Sequence, residues 1–265
     1  MEAKKTSSKQ VVAILLLVIG LIAGVFGILG LVGGGGMDPY EARNGVVYIY
    51  SVAYNDQGQS EAGWGTGWAI GKPGEPVQYI VTNGHVVERA YAYPKQYANI
   101  TGDLKVYFSA AENDFVAGQV VYYSGFNEKD IAIIKLPSAT DKRTALRLRS
   151  SSDVKVGETV YALGYPGTAT VGQDFKTFDQ DDITLTKGVI SKKMTPSFST
   201  YDAFQMDTYI SGGNSGGPLV DENGYVVGIN SAGLENSGID LGMNYAIVAD
   251  ELIKILDSER IEYTM

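Results

Sequence analysis

Gly212-Gly213-Asn214-Ser215-Gly216-Gly217-Pro218-Leu219 sets one serine among four glycines. A serine hydroxyl works as a nucleophile when a tight turn exposes it and aims backbone N–H groups at a developing oxyanion. Glycine permits that main-chain path. Two further segments supply what such a serine needs. Val81-Thr82-Asn83-Gly84-His85-Val86-Val87 places His85, the one histidine of the chain, just beyond an apolar strand. Asn127-Glu128-Lys129-Asp130-Ile131-Ala132-Ile133-Ile134-Lys135-Leu136 places a carboxylate at the head of another. The order is His, Asp, Ser, at spacings of 45 and 85 residues. A hydroxyl is a poor nucleophile unless a base takes its proton, and imidazole, with an ordinary pKa of about 6.5, is the side chain suited to that near neutrality.

Composition removes several other chemistries. The 265 residues contain no Cys and one His, which excludes disulfides, thiolate nucleophiles and zinc sites of the H-E-x-x-H type. No metal site and no cofactor is expected. The net charge is −9, and residues 37–265 carry 18 basic against 29 acidic side chains, so a nucleic-acid partner is not expected. The 33 glycines against 8 prolines, with 18 tyrosines, suit short strands and many turns.

Strand patterning occurs at 46–53, 68–70, 77–82, 104–108, 115–123 and 131–136. After a polar stretch at 147–157 it returns at 159–164, 183–191, 203–207, 219–220, 226–230 and 243–247. Two groups of six predict an all-β fold of two packed six-stranded antiparallel β-barrels, about 44–146 and 147–248. Only 249–261 has convincing helical spacing, with Ala249, Leu252, Ile253 and Leu256 on one face, so a C-terminal helix should close the chain.

These motifs resemble the chymotrypsin-like serine protease fold and, within it, the HtrA (Deg) group. Gly65-Thr66-Gly67, Gly188-Val189-Ile190-Ser191, Gly213-Asn214-Ser215-Gly216-Gly217-Pro218 and Gly228-Ile229-Asn230 are similar to that group's landmarks, over about residues 44–250. The resemblance implies Ser215 as nucleophile, His85 as general base and then acid, and Asp130 as the group that orients the imidazolium. It also implies the N–H groups of Gly213 and Ser215 as oxyanion hole. It places the S1 pocket near Tyr209, Ile210 and Met243, and a peptide-pairing edge at Ser231, Ala232 and Gly233. None of these is acidic, and no second histidine exists to hold a glutamate side chain, so a small or medium apolar P1 residue is expected. Polypeptide substrates follow, in protein quality control by family analogy, and the resemblance admits a homo-oligomer. Asn214 stands where digestive members carry an acid, so activation by a newly cut N-terminal amine is not expected. The His-to-Asp segment is long for the group, and the PDZ module usual there has no counterpart, so PDZ-driven activation is not expected. The same residues also suit a non-catalytic peptide-binding homologue, or a hydrolase of small esters or amides.

Outside this region, residues 11–32 give 22 consecutive uncharged, mostly apolar residues, or about 33 Å of helix. The basic tail 1–10 before them predicts a single-pass signal anchor with a cytoplasmic N-terminus, a Gly-rich spacer at 33–43 and an extracytoplasmic domain at 44–265. The run is longer than the core of a cleaved signal peptide and lacks its A-x-A-like site. Gly20-x-x-x-Gly24 is a weak helix-pairing motif. The carboxylate-rich stretch 172–182 reads as a solvated acidic loop, and Asn99-Ile100-Thr101 fits a glycosylation acceptor.

Overall fold

A computed structural model describes residues 37–109, 114–167, 180–197, 199–236 and 239–265. The apolar run 11–32, the first part of the spacer and most of the acidic stretch lie outside the described residues. Among those described, no helix is long and apolar enough to cross a membrane.

Two all-antiparallel sheets build the described body. The first uses β1 (Val46–Asn55), β2 (Ser60–Ile70), β3 (Val77–Thr82), β4 (Ile100–Tyr107), β5 (Phe115–Ala117), β6 (Gln119–Tyr123) and β7 (Ala132–Thr140). Its order is β5-β4-β1-β2-β3-β7-β6. The second uses β8 (Thr159–Gly164), β9 (Thr184–Met194), β10 (Ala203–Met206), β11 (Pro218–Asp221), β12 (Val226–Asn236) and β13 (Ile239–Val248), closed into a six-stranded barrel.

The expected pair of six-stranded barrels is therefore corrected for the first sheet, which has seven strands in an open, half-barrel order; only the second closes. The run 115–123, expected as one strand, breaks at Gly118, whose N–H turns aside to Leu104 O at 3.0 Å. Its first part pairs with β4 and its second with β7, so one bent run borders both edges of the sheet. A Cβ at Gly118 would lie 2.5 Å from Ile134 Cγ2, which is why the bend passes so close to the core.

Period-two alternation explains how the layers join. In β1, Val47 and Ile49 enter the first sheet's own core, while Val46 and Tyr48 face the second core beyond it. Ala132 and Ile134 take the first face, and Ile131 and Ile133 take the other. That other face meets Leu163, Val220, Ile229 and Ile247 of the barrel, so alternate residues of the same strands weld the two sheets together. The C-terminal helix adds Leu252, Ile255 and Leu256 to the same core.

Helices account for the other departures. α1 (Gly84–Tyr91) and the short α2 (Tyr93–Gln96) follow β3 where no helix was expected. α1 is eight residues long, too short for its period to stand out, and it is held by Val86 and Val87 packing into the first core. α3 (Ala249–Glu259) matches the expected terminal helix but stops earlier, because Arg260 turns left-handed at φ 55°.

Three carboxylates make folding acid-sensitive. A hydrogen bond from Lys142 holds Asp114 below its ordinary range. Burial pushes Glu158 and Glu251 up, but hydrogen bonds from Arg149, and from Lys129 and Lys254, outweigh it and leave both lowered. Groups lowered in the folded chain bind more protons unfolded. Their stabilisation is complete above the unfolded carboxylate value of about 4 and is lost as pH falls through the folded values. The melting temperature should hold between about pH 5 and 7 and fall below about pH 4. An equal melting temperature at pH 3 and pH 7 would contradict this assignment.

Candidate active site

β3 runs into Asn83, and α1 then carries His85 on its first turn. The turn that leads into β7 brings Asp130, fully buried, to His85. His85 Nδ1 lies 2.9 Å from Asp130 Oδ1 and 3.0 Å from Oδ2, and the His85 backbone N–H donates to Oδ1 at 3.0 Å. The Ser231 hydroxyl donates to Oδ2 at 2.9 Å. The carboxylate is thus buried with its acceptor sites filled, as a buried charge requires. With Nδ1 facing a carboxylate, the proton belongs on Nδ1 and Nε2 is left as the basic nitrogen. Nε2 makes no hydrogen bond to a described residue.

Asp130 itself has φ 51°, a left-handed conformation that costs a non-glycine residue about 1–3 kcal/mol unless its surroundings impose it. They do so here. Its N–H donates to Gly125 O at 3.1 Å, and its carbonyl accepts from Asn83 Nδ2 at 2.8 Å.

The serine turn is fastened from both sheets. Thr66 N–H donates to Ser215 O at 2.9 Å, and Thr66 Oγ1 donates to Gly213 O at 2.7 Å. Gly216 N–H donates to Asn230 O at 2.8 Å, and Gly167 N–H to Gly212 O at 2.7 Å. Gly213 and Gly216 have φ 103° and 84°. A Cβ there would lie 2.2 Å from Tyr165 O and from Thr82 Oγ1 respectively. Both positions therefore demand glycine for conformation and for room. The N–H groups of Gly213 and Ser215 donate to no described residue.

Ser215 Oγ donates to the carbonyl of Ser231 at 3.1 Å rather than to His85. Ser231 therefore joins the two halves of the site, with its carbonyl on the serine and its hydroxyl on the aspartate. The residues expected from sequence come together as His85–Asp130 directly and Ser215 through Ser231.

The expected pocket residues divide. Ile210 is buried, while Tyr209 and Met243 are exposed. Gly233 faces Asn244 across the β12–β13 ladder. Asn244 is buried with its Oδ1 unpartnered, and a Cβ at Gly233 would lie 2.9 Å from that oxygen. Tyr209, Ile210, Met243 and Asn244 are themselves uncharged. Four contributors escaped sequence reasoning: Thr66, Asn83, Phe126 and Asn244. Thr66 and Asn83 lay inside the quoted motifs without a role. Phe126 stands edge-on to the His85 ring with centroids 5.8 Å apart. Asn244 could not be found, because β12 slips register against β13 at Asn230/Ala232 and at Gly233/Glu235.

Residues 65–229 match the family model described as trypsin-like peptidase domain. The chain belongs to that family. Its relatives are HtrA-like members of it. Protease Do-like 1, chloroplastic, of Arabidopsis thaliana is 32% identical over 225 residues, covering 80% of this chain and 44% of that protein. Serine protease Do-like HtrA of Bacillus subtilis is 28% identical, covering 84% and 45%. "Probable periplasmic serine endoprotease DegP-like" of Hahella chejuensis is 30% identical, covering 79% and 38%. The chain thus spans less than half the length of these trypsin-like relatives. Among solved structures, "HtrA-type protease AlgW with tripeptide" superposes with a TM-score of 0.60 at 25% identity, covering 83% of this chain and 62% of that one.

Proposed function

We propose that this chain is a serine endopeptidase of the HtrA type that cleaves polypeptides through an acyl-enzyme. The carrying observation is the His85 imidazole held on both oxygens of buried Asp130, beside a serine turn whose Gly213 and Ser215 N–H groups donate to no described residue. Ser215 Oγ leaves the Ser231 carbonyl, gives its proton to His85 Nε2 and attacks the scissile carbonyl. The two N–H groups receive the oxyanion, a contribution of about 3 kcal/mol per donor in a comparable enzyme. His85 then protonates the leaving amine, and water repeats the cycle on the ester.

The apolar run 11–32 supports a membrane anchor with the catalytic body outside the cytoplasm, and the periplasmic name of one relative supports the same side. A role in quality control of exported proteins rests on these relatives. Tripeptide in a structural neighbour supports polypeptide substrates paired against Ser231, Ala232 and Gly233. The uncharged side chains of Tyr209, Ile210, Met243 and Asn244 support an uncharged P1 residue of small or medium size. Profiling against a peptide library is expected to show that preference, and a clear excess of cleavage after Lys or Arg would overturn it.

A second reading is a peptide-binding homologue without catalysis, favoured by the Ser215 hydroxyl pointing at Ser231 O instead of His85. Hydrogen bonds of this kind often tighten only when substrate binds. Labelling of the full chain by a fluorophosphonate probe, mapped to Ser215, supports the enzyme; an unlabelled chain that still binds peptide supports the binder. Digestion of casein separates an endopeptidase from a hydrolase of small esters.

A further inference from the structure

Asp130 is held from two directions. On its own sheet the fastenings are Gly125 and Asn83. From the other side, the turn 124–130 is gripped by elements that belong to the second half of the fold. The Thr200 hydroxyl donates to Glu128 O at 2.9 Å. Lys129, the neighbour of Asp130, reaches Glu251 on the first turn of α3, with Nζ 2.7 Å from Oε2. Its backbone N–H is fixed as well, donating to Ser124 Oγ at 3.0 Å, and that hydroxyl donates to Glu128 Oε2 at 2.9 Å. Glu251 is 7% exposed, an uncommon place for a carboxylate, and its other oxygen accepts from Lys254 Nζ at 2.8 Å. α3 is itself anchored by Leu252, Ile255 and Leu256 in the shared core, so it is a rigid post rather than a loose tail.

We infer that Glu251 is a positioning residue for the catalytic aspartate, acting through Lys129, so that the C-terminal helix is part of the active-site machinery. This rests on the triad reading above. The geometry gives the reason. A left-handed Asp130 persists only where its surroundings over-determine it, and the Lys129 side chain is the lever that fixes the preceding residue against α3. Releasing it lets the turn relax and swings the carboxylate relative to the imidazole. A displacement near 1 Å at a catalytic group can cost about 100-fold in rate, so a partial release should read as roughly 10-fold. Among the described residues, the proposed peptide-pairing edge and pocket share no hydrogen bond with Lys129 or Glu251, so substrate binding should change little.

The test uses the full-length chain with a peptide that the wild type cleaves, comparing Glu251→Gln, Lys129→Gln, the double variant and Lys254→Gln. The expected result is a kcat about 10-fold lower in each of the first two, with KM within about 2-fold and the double variant no slower than either single one. Lys254→Gln, which removes only the solvent-side partner, should keep the wild-type kcat. Thermal melting is measured alongside. A lowered melting temperature with unchanged kcat in Glu251→Gln and Lys129→Gln would make the contact purely structural and overturn the inference. Should Glu251→Gln fail to fold, Lys129→Gln on its more exposed side chain decides alone. Failure of the triad reading is distinguishable, because Ser215→Ala would then retain the wild-type rate.

Discussion

Ser215→Ala is expected to lower kcat by about 10⁶ and to abolish fluorophosphonate labelling, while the fold is retained. Among the described residues the hydroxyl makes one hydrogen bond, to Ser231 O. Its removal leaves one carbonyl without a donor at a partly open site, a cost of about 1 kcal/mol, and opens no large cavity. The turn that carries it is held by Thr66 on the Ser215 carbonyl and by Asn230 on the Gly216 N–H, neither of which uses the side chain. Melting should therefore shift by no more than a few degrees. What should disappear is the proposed covalent catalysis. The residual rate, about 10³ to 10⁴ above water, is what the Gly213 and Ser215 N–H groups and substrate binding supply alone. Casein digestion at the wild-type rate by Ser215→Ala would end the serine-peptidase reading.

Asp130→Asn should cost about 10⁴ in kcat, by analogy with the same change in another serine protease. Both carboxylate oxygens lie within 3.0 Å of His85 Nδ1, so whichever of them becomes an amide nitrogen brings an N–H toward that ring nitrogen. The ring is expected to answer by moving its proton to Nε2, the atom proposed to accept from Ser215. The base is then in the wrong tautomer although every heavy atom stays in place. Substrate binding should survive, since the pocket and the β12 edge are untouched, so KM is expected to change far less than kcat. A turnover within 10-fold of the wild type would show that Asp130 does not orient the imidazole. The clamp variants at Glu251 and Lys129 provide the graded counterpart, since they should disturb the same carboxylate without changing its chemistry.

His85, Asp130 and Ser215 were legible because each sits in a local pattern whose chemistry is carried by neighbours in the chain: glycines around the serine, and apolar strand residues beside the other two. Most strands were legible for a similar reason. A short apolar run such as Ile131-Ala132-Ile133-Ile134 needs no partner to be read as a strand, although only the structure shows which residue takes which face. The break at Gly118 was not legible, because a single glycine in a strand pattern does not say which two neighbours its halves will join. Nor was α1, eight residues whose apolar positions are consistent with either period.

Residue order alone therefore determined the strand-rich class, the three chemical groups and their sequence along the chain, since these depend on side-chain type and short-range spacing. Tertiary structure decided which groups share a site and what holds them. Ser231 bridging serine and aspartate, Asn244 opposite Gly233 and Glu251 reaching Lys129 join residues separated by up to 122 positions. Such contacts arise from register, bulges and the packing of one sheet on another. Those are properties of the folded arrangement, and no window of the sequence contains them.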